Sequence, residues 1–251
     1  MAQSEVSLIK LEREKGWLAS GGLVYSSNVG EYVQMRVAEP SFIGGFIFNK
    51  NWSFFSAVPF RYEHASYAYI PGMQEKKTEG LFSLGNIAII PRYRFEKKGK
   101  WIEIPLAIQF PTLNKISGNL QYEDIEKEGR IFAIEPAIEI SKVSDPIVSF
   151  IRFSFAQPLW REKDKYKVYD LWKANTSAEL YFLVNEQFSY FSNLGIYIGK
   201  KKEGILLEGG VAYHSKPYQE WRLSLLNGYD CSRWGSSMGL SFTMMQKAKV
   251  K

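Results

Sequence analysis

Cysteine and histidine are nearly absent from this sequence, which has one cysteine and two histidines among 251 residues. A single cysteine, Cys231, excludes a disulfide within the chain. So few His and Cys residues also exclude the dense clusters that usually bind zinc and related metals. We therefore expect no metal or other cofactor. Cys231 lies in the loop-like segment NGYDCSRW, and we interpret its thiol as incidental.

Long apolar runs are also missing from the sequence. No stretch approaches the ~18 apolar residues that a membrane-spanning helix requires. The first residues, MAQSEVSLIKLEREKG, lack the basic start, apolar core and cleavage site of a signal peptide. Two interpretations follow: a cytoplasmic protein, or the mature part of an exported protein with an added initiator methionine. The strand pattern favours the second.

What the sequence does contain is strict alternation of apolar and polar residues, clearest in residues 85–112. Side chains on a β-strand point alternately to opposite faces, so every second residue shares a face. One face of this segment carries Ile87, Ile89, Pro91, Tyr93 and Phe95, followed after the turn EKKGK by Ile102, Ile104, Leu106, Ile108 and Phe110. The other face is polar or small except for Ile90. This pattern predicts a two-faced β-hairpin.

The same alternation recurs along the chain without a linker or a domain boundary. It predicts twelve strands near residues 16–27, 31–48, 52–64, 80–96, 100–112, 129–142, 146–159, 167–184, 187–200, 203–214, 218–228 and 235–246. Short turns alternate with connections that include the longer polar segments 65–79, 113–128 and 160–166. An even strand count with short turns at one rim and longer loops at the other is typical of outer-membrane barrels. A soluble β-sandwich or lipocalin-like binder remains an alternative.

The polar face of the predicted strands carries charges of both signs in similar numbers. Inside a barrel such charges must be paired or hydrated, and pairing offsets most of their desolvation cost. We predict that the lumen and solute pathway is lined by Arg61, Arg92, Arg94, Glu103, Glu135, Glu139, Arg152, Glu179, Glu208 and Arg222, and that Lys173 and Glu220 share this face. In the hairpin, Arg92 and Arg94 are expected to face Glu103.

Aromatic residues and prolines add two expectations. Trp and Tyr often occur near the predicted strand ends, where rings can lie at the level of lipid headgroups; examples are Trp17, Trp52, Trp101, Trp160 and Tyr190. Prolines cannot donate to a strand ladder, so we expect Pro40, Pro59 and Pro111 to mark kinks.

Three segments resemble a known family: NWSFFSAVPF, GLFSLGNIAIIPRYRF and WIEIPLAIQFPT. Together they are similar to the outer-membrane proteins of the MetA-pathway of phenol degradation family, over residues 40–115. The chain departs from the family pattern at Asn86, where Asp is usual, and at Leu113, where Gly is usual. The resemblance implies an outer-membrane barrel that lets small aromatic or hydrophobic molecules cross. It carries no catalytic residues over to this chain.

Enzymatic and nucleic-acid-binding functions are disfavoured. There is no GxGxxG or P-loop motif. Some barrels are lipid-modifying hydrolases with a His and a Ser at the rim, so His214 with Ser215, or His64 with Ser66, keeps that alternative open. Adjacent residues on a strand point in opposite directions, which argues against the first pair. The net charge of +6 comes from lysine-rich turns and loops, which suit lipopolysaccharide phosphates outside a barrel rather than nucleic acid.

Taken together, the sequence predicts an all-β, antiparallel up-and-down transmembrane barrel of about twelve strands in the bacterial outer membrane. Residues 1–15 would form a periplasmic segment or a plug, residues 16–247 the barrel and residues 248–251 a tail. Twelve strands give a side-chain-limited bore, so we expect a passive, narrow and selective channel for small molecules and no enzyme. Outer-membrane lipid and lipopolysaccharide would be its surroundings. The oligomeric state is left open by the sequence.

Overall fold

The structure is a computed structural model, and it describes residues 15–29, 33–67, 78–112, 114–118, 131–161, 172–199, 203–216, 219–230 and 233–247. Regular secondary structure in these ranges is entirely β-strand. In chain order the strands are β1 (Gly16–Val29), β2 (Val33–Ile47), β3 (Trp52–Tyr67), β4 (Thr78–Leu84), β5 (Ala88–Lys97), β6 (Lys100–Gln109), β7 (Asn114–Gly118), β8 (Ile131–Ser144), β9 (Ile147–Arg161), β10 (Lys173–Leu183), β11 (Phe188–Gly199), β12 (Glu203–Lys216), β13 (Gln219–Asp230) and β14 (Arg233–Lys247). The described ranges contain no helix that is both long and apolar enough to cross a membrane. Residues 1–14 and 248–251, Cys231 and the interiors of the three long connections lie outside the description.

The sheet closes on itself, with each strand antiparallel to its neighbours. β1 pairs with β14 on one side and with β2 on the other, and β2 pairs in turn with β3. β3 pairs with β5 along its first half and with β4 along its second half, so β4 and β5 are two pieces of one barrel strand. β7 and β6 form the next barrel strand in the same way. The predicted closed antiparallel barrel of twelve strands is therefore confirmed.

The two divided barrel strands are interrupted beside each other, and Thr112 bridges the interruption. Its hydroxyl accepts a hydrogen bond from the Ile87 amide (2.7 Å) and donates one to the Gly85 carbonyl (3.0 Å). The Gly85 amide donates to the Pro59 carbonyl (2.8 Å). Pro111 lies between β6 and β7, so two of the prolines expected to mark kinks are found at this interruption. A side chain and two loop peptides thus replace the missing ladder bonds.

The two ends of the barrel differ in their connections. At the short-turn end, a few residues join β2 to β3, β5 to β6, β8 to β9, β10 to β11 and β12 to β13. The β5–β6 turn has positive φ at both Lys98 (53°) and Gly99 (69°), as in a two-residue type I′ hairpin. At the opposite, long-connection end, residues 68–77, 119–130 and 162–172 join successive strands. β1 starts and β14 finishes at the short-turn end.

Exposure alternates along each strand and distinguishes the outer wall of the barrel from the inner wall. On β11 the large apolar side chains are 41–59% exposed, namely Tyr190, Leu194, Ile196 and Ile198. The residues between them are buried, namely Ser189, Phe191 and Asn193. Because a closed barrel has one outer and one inner surface, the exposed apolar face is the outer wall. The buried, more polar face is the inner wall.

Aromatic rings lie on the outer wall near the short-turn end. Trp17 is 62% exposed and packs against Phe46, with ring centroids 4.8 Å apart. Trp52 and Tyr93 form a similar pair at 4.9 Å. The expectation for Trp101 was wrong, because its ring lies 4.1 Å from the Arg94 guanidinium of the inner wall. Its place in the alternation of β6, two residues before buried Glu103, explains that position.

Two buried apolar clusters fill the inner wall toward the short-turn end. The first consists of Leu18, Ile47, Phe55, Ile90 and Ala107. The second consists of Val148, Phe150, Tyr181, Phe191 and Ala212. In a wide water-filled lumen such side chains would be exposed, but Tyr181 is 0% and Ile47 1% exposed. Packed side chains therefore occupy the inner space at this level of the barrel.

Replacing Thr112 with Val should destabilise the barrel, because the hydroxyl holds both interrupted strands together. We expect the free energy of unfolding to fall by about 1–3 kcal/mol, the cost of buried polar groups that lose their partner. Urea titration in detergent, followed by tryptophan fluorescence, measures it. Thr176→Val is the matched control, because Thr176 is exposed on the outer wall. Equal effects of the two substitutions would contradict the bridging role.

Candidate functional site

The inner wall carries a row of four charged residues across four neighbouring barrel strands. The strand register places Arg94 opposite Glu103, Glu103 opposite Glu139, and Glu139 opposite Arg152. Directly opposed residues on one face of a sheet lie close enough for their side chains to interact. Two cations therefore flank two carboxylates, and the row is neutral as a whole.

Arg92 and Arg94 reach this row from β5 and are almost completely buried, at 3% and 2% exposure. The Arg92 guanidinium donates to Glu103 Oε1 at 3.2 Å. It also lies 5.1 Å from the centre of the Phe55 ring, at cation–π distance. The structure therefore places both arginines next to Glu103 across the hairpin, as predicted.

A second group of charges lies on β2 and β3, toward the long-connection end. Arg61 pairs with Glu63 at 2.5 Å and with Glu39 at 3.5 Å. Glu63 is buried, whereas the Arg61 side chain is 38% exposed. A looser pair, Arg152 with Glu135 at 3.6 Å, continues the charges on β8 and β9.

The opposite wall, formed by β10 to β13, is organised around Arg222. Its guanidinium donates to Glu179 Oε1 at 2.6 Å, and both residues are buried. It also lies 3.9 Å from the centre of the Phe191 ring and 5.4 Å from that of Tyr181. A buried ion pair needs further stabilising contacts to offset its desolvation, and the two rings supply them.

Asn193 lies between two carboxylates on this wall. The register pairs it with Glu179 on one side and with Glu208 on the other. Its amide nitrogen donates to Glu208 Oε2 at 3.4 Å. Its carbonyl oxygen, Oδ1, is buried and accepts no hydrogen bond from any described residue. The amide group is therefore only half satisfied.

Ser189, His214 and Glu220 meet at the short-turn end of the same wall. Ser189 Oγ lies 3.4 Å from His214 Nε2, and His214 Nδ1 lies 3.7 Å from Glu220 Oε2. The order of groups is that of a hydrolytic triad, but Ser189 is 1% and Glu220 0% exposed. A substrate cannot reach such a nucleophile, so the three residues are a structural contact. Ser215, the residue paired with His214 in the hydrolase alternative, instead donates to Gln219 Oε1 at 3.1 Å.

His64 and Ser66 offer no better hydrolase site. His64 is half-buried on β3, and the side chain of Ser66 lies outside the described residues. Among the described residues, no three His, Cys, Asp or Glu side chains are grouped so as to hold a metal ion. What the inner wall offers chemically is therefore charge, hydrogen-bond acceptors and aromatic faces.

All ten residues predicted to line the lumen lie on the inner wall. Six of them are buried, namely Arg92, Arg94, Glu103, Glu139, Glu179 and Arg222. Arg61, Glu135, Arg152 and Glu208 are partly exposed. Glu39, Glu63, Ser189 and Asn193 were missed. The alternation does place each of them on the inner face. They were not chosen as lumen residues because the sequence predicted no interaction partner for them.

Solved outer-membrane barrels share this fold. The COG4313 outer membrane channel from Pseudomonas putida F1 superposes with a TM-score of 0.64 at 8% identity, over 94% of this chain and 98% of that chain. The CymD monoaromatic hydrocarbon channel gives 0.52 at 9% identity, over 94% and 89%. The KdgM porin gives 0.52 at 10% identity, over 89% and 98%. At such identities the likeness shows the fold alone.

No protein-family model matches the chain, and no curated protein matches it in sequence. The resemblance to the MetA-pathway of phenol degradation family therefore has support from the shared fold of outer membrane channels, and none from sequence comparison.

Breaking the Glu179–Arg222 pair should destabilise the fold far more than breaking a partly exposed pair elsewhere on the inner wall. Glu179→Gln leaves Arg222 buried beside a neutral group, so we expect a loss of about 3–5 kcal/mol in the free energy of unfolding. Glu135→Gln, at the looser Arg152 pair, should cost about 1 kcal/mol or less. Urea titration measures both.

The double variant Glu179→Leu with Arg222→Met tests the cause of that loss. If an unpaired buried charge is responsible, removing both charges restores most of the stability. A double variant no more stable than Glu179→Gln would contradict the explanation.

Proposed function

We propose that this chain is an outer-membrane channel through which small molecules pass passively along a narrow, charged inner wall. One observation carries the proposal: the distribution of polarity is reversed relative to a soluble protein. Large apolar side chains cover the outside, as at Leu225 (64% exposed) and Phe153 (51%), while arginines and glutamates are buried within. Exposed apolar area on this scale is stable against lipid tails and not against water.

The aromatic pairs near the short-turn end support this orientation. Trp17, Trp52 and Tyr190 are exposed where a membrane interface would lie, and indole and phenol rings favour that depth. Short turns face the periplasm in bacterial barrels and longer loops face outward. The short-turn end would then be periplasmic, with residues 1–15 as a periplasmic segment or plug. The long connections would lie at the outer surface of the membrane, where they would contact lipopolysaccharide.

The charged row and the Arg222 group would form the constriction. Arg92, Arg94, Glu103 and Glu139 lie on one side of the lumen, and Glu179 and Arg222 lie on β10 and β13. The apolar clusters pack beside them. Phe55, Phe191 and Tyr181 already bind guanidinium groups through their ring faces, so they suit aromatic solutes too. Together with the resemblance to phenol-degradation proteins, this favours small aromatic compounds among the solutes.

The membrane location is tested by expressing the chain with an export signal in a Gram-negative host. We expect it in the outer-membrane fraction and soluble only with detergent, because its outer wall is apolar. On a gel, a folded barrel migrates differently before and after boiling, whereas an unfolded chain does not change. A chain that stays in solution without detergent would overturn the membrane assignment.

Ion selectivity in planar lipid bilayers tests the role of the charged wall. Replacing Arg92 and Arg94 together by Glu should shift the reversal potential in a KCl gradient toward cations, because two positive charges at the constriction become negative. Lys97→Glu with Lys98→Glu makes the same charge change at an exposed turn and should shift it far less. Gel migration before and after boiling verifies that both variants fold. Unchanged selectivity in a folded Arg92 and Arg94 variant would remove these residues from the pathway.

A further inference from the structure

Asn193, on the β10–β13 wall, has a buried amide oxygen that accepts no hydrogen bond from the described residues. The residue is only 8% exposed. Its nitrogen is committed to Glu208 Oε2, while Oδ1 accepts no hydrogen bond from the described residues. A buried carbonyl oxygen without a donor is costly and rare, and a bound group is a common reason for one. A ligand that donates hydrogen bonds would satisfy the free acceptor of this amide.

The two sides of Asn193 along β11 differ in how closely they are packed. On the short-turn side lies Phe191, with the Arg222 guanidinium 3.9 Å from its ring centre, so this side is filled. On the long-connection side the next inward residue is Gly195. A methyl group added there would make only ordinary contacts, the nearest at 3.6 Å to Leu206. Gly195 therefore leaves room for one carbon-sized group beside Asn193 on the long-connection side.

The charge around Asn193 favours a cation. Arg222 contacts Glu179 at 2.6 Å and acts on Glu208 electrostatically from a longer distance. Glu208 is partly exposed and forms no ion pair within 4.0 Å among the described residues. Among the inner-wall residues with described side chains, carboxylates outnumber cations although the chain carries +6 overall. The carboxylates with described side chains are Glu39, Glu63, Glu103, Glu135, Glu139, Glu179, Glu208 and Glu220, and the cations are Arg61, Arg92, Arg94, Arg152, Lys173 and Arg222.

Hydrogen-bond chemistry narrows the choice of cation. Asn193 Oδ1 and the two carboxylate oxygens of Glu208 are three acceptors, and a primary ammonium group has three N–H donors and no acceptor. Charge-assisted bonds of this type are the stronger ones. A metal ion would need more oxygen ligands than this pair supplies. We propose that Asn193 and Glu208 form a binding subsite for primary ammonium groups of solutes inside the channel, an inference that rests on the proposed function.

Competition in planar bilayers tests this subsite, with methylammonium as the probe. Replacing K⁺ stepwise by methylammonium at constant ionic strength should lower the conductance in a saturable way, since the bound ion slows passage. Tetramethylammonium has the same charge but no N–H donor, and it should show no saturable effect. Equal saturable effects of the two ions would overturn the proposal.

Substitutions assign the effect to the two residues. Glu208→Gln and Asn193→Val should each raise the half-saturating methylammonium concentration at least about tenfold. Asn193→Asp adds a carboxylate and should lower it, which a merely misfolded variant would not do. Glu186→Gln removes one charge at the exposed β10–β11 turn and should leave it within about twofold. An unchanged concentration in both Glu208→Gln and Asn193→Val would refute the subsite.

Failure of the channel function would be recognised separately. If the native protein gives no conductance, the proposed function fails, and methylammonium binding is then measured by calorimetry on the purified protein with the same variants. Binding that Glu208→Gln abolishes would still support the subsite, and absence of binding would overturn it.

Discussion

The enclosure of charge on the inner wall is the constraint on which the rest of this structure depends. A closed sheet leaves inward side chains with few partners other than those on neighbouring strands. Arg94, Glu103, Glu139 and Arg152 meet this condition because the register places an arginine beside each of the two central glutamates. Arg222 meets it with the Glu179 carboxylate at 2.6 Å and the rings of Phe191 and Tyr181. These buried charges are tolerated only when the strands pair in the native register, and the barrel therefore depends on that register.

The apolar clusters and the charges cooperate rather than occupying separate regions. Phe55 and Phe191 each belong to a buried cluster and at the same time lie beside an arginine. Aromatic faces lower the cost of burying a guanidinium, and the guanidinium fixes the position of the ring. The result is a constriction built from rigid groups, in which polar and apolar surfaces lie next to each other. In the proposed channel, such a surface would discriminate solutes by both charge and shape.

The strand pattern was predictable because period-two alternation repeats in every strand and fixes which face each residue takes. The charged lining followed from the same alternation, residue by residue. The interruption at Gly85 and Thr112 was not predictable, because it depends on hydrogen bonds between segments 25 to 27 residues apart. The position of Trp101 was mistaken because a general preference of tryptophan for interfaces was given more weight than its place in the alternation.

Contacts that depend on how the strands pair in three dimensions could not be predicted from the sequence. Ser189 and His214 are 25 residues apart and come together through diagonal neighbours on adjacent strands. Asn193 is an ordinary inward polar residue in the sequence. Its unsatisfied carbonyl becomes visible only once the partners on β10 and β12 are known.

The packed side chains of the short-turn half have a kinetic consequence. Because Tyr181, Ile47 and Arg94 leave almost no exposed surface, a solute crossing this level must first displace them. Transit would then proceed in discrete thermally activated hops, each coupled to a rotamer change, and its rate would rise with temperature more steeply than the fluidity of water.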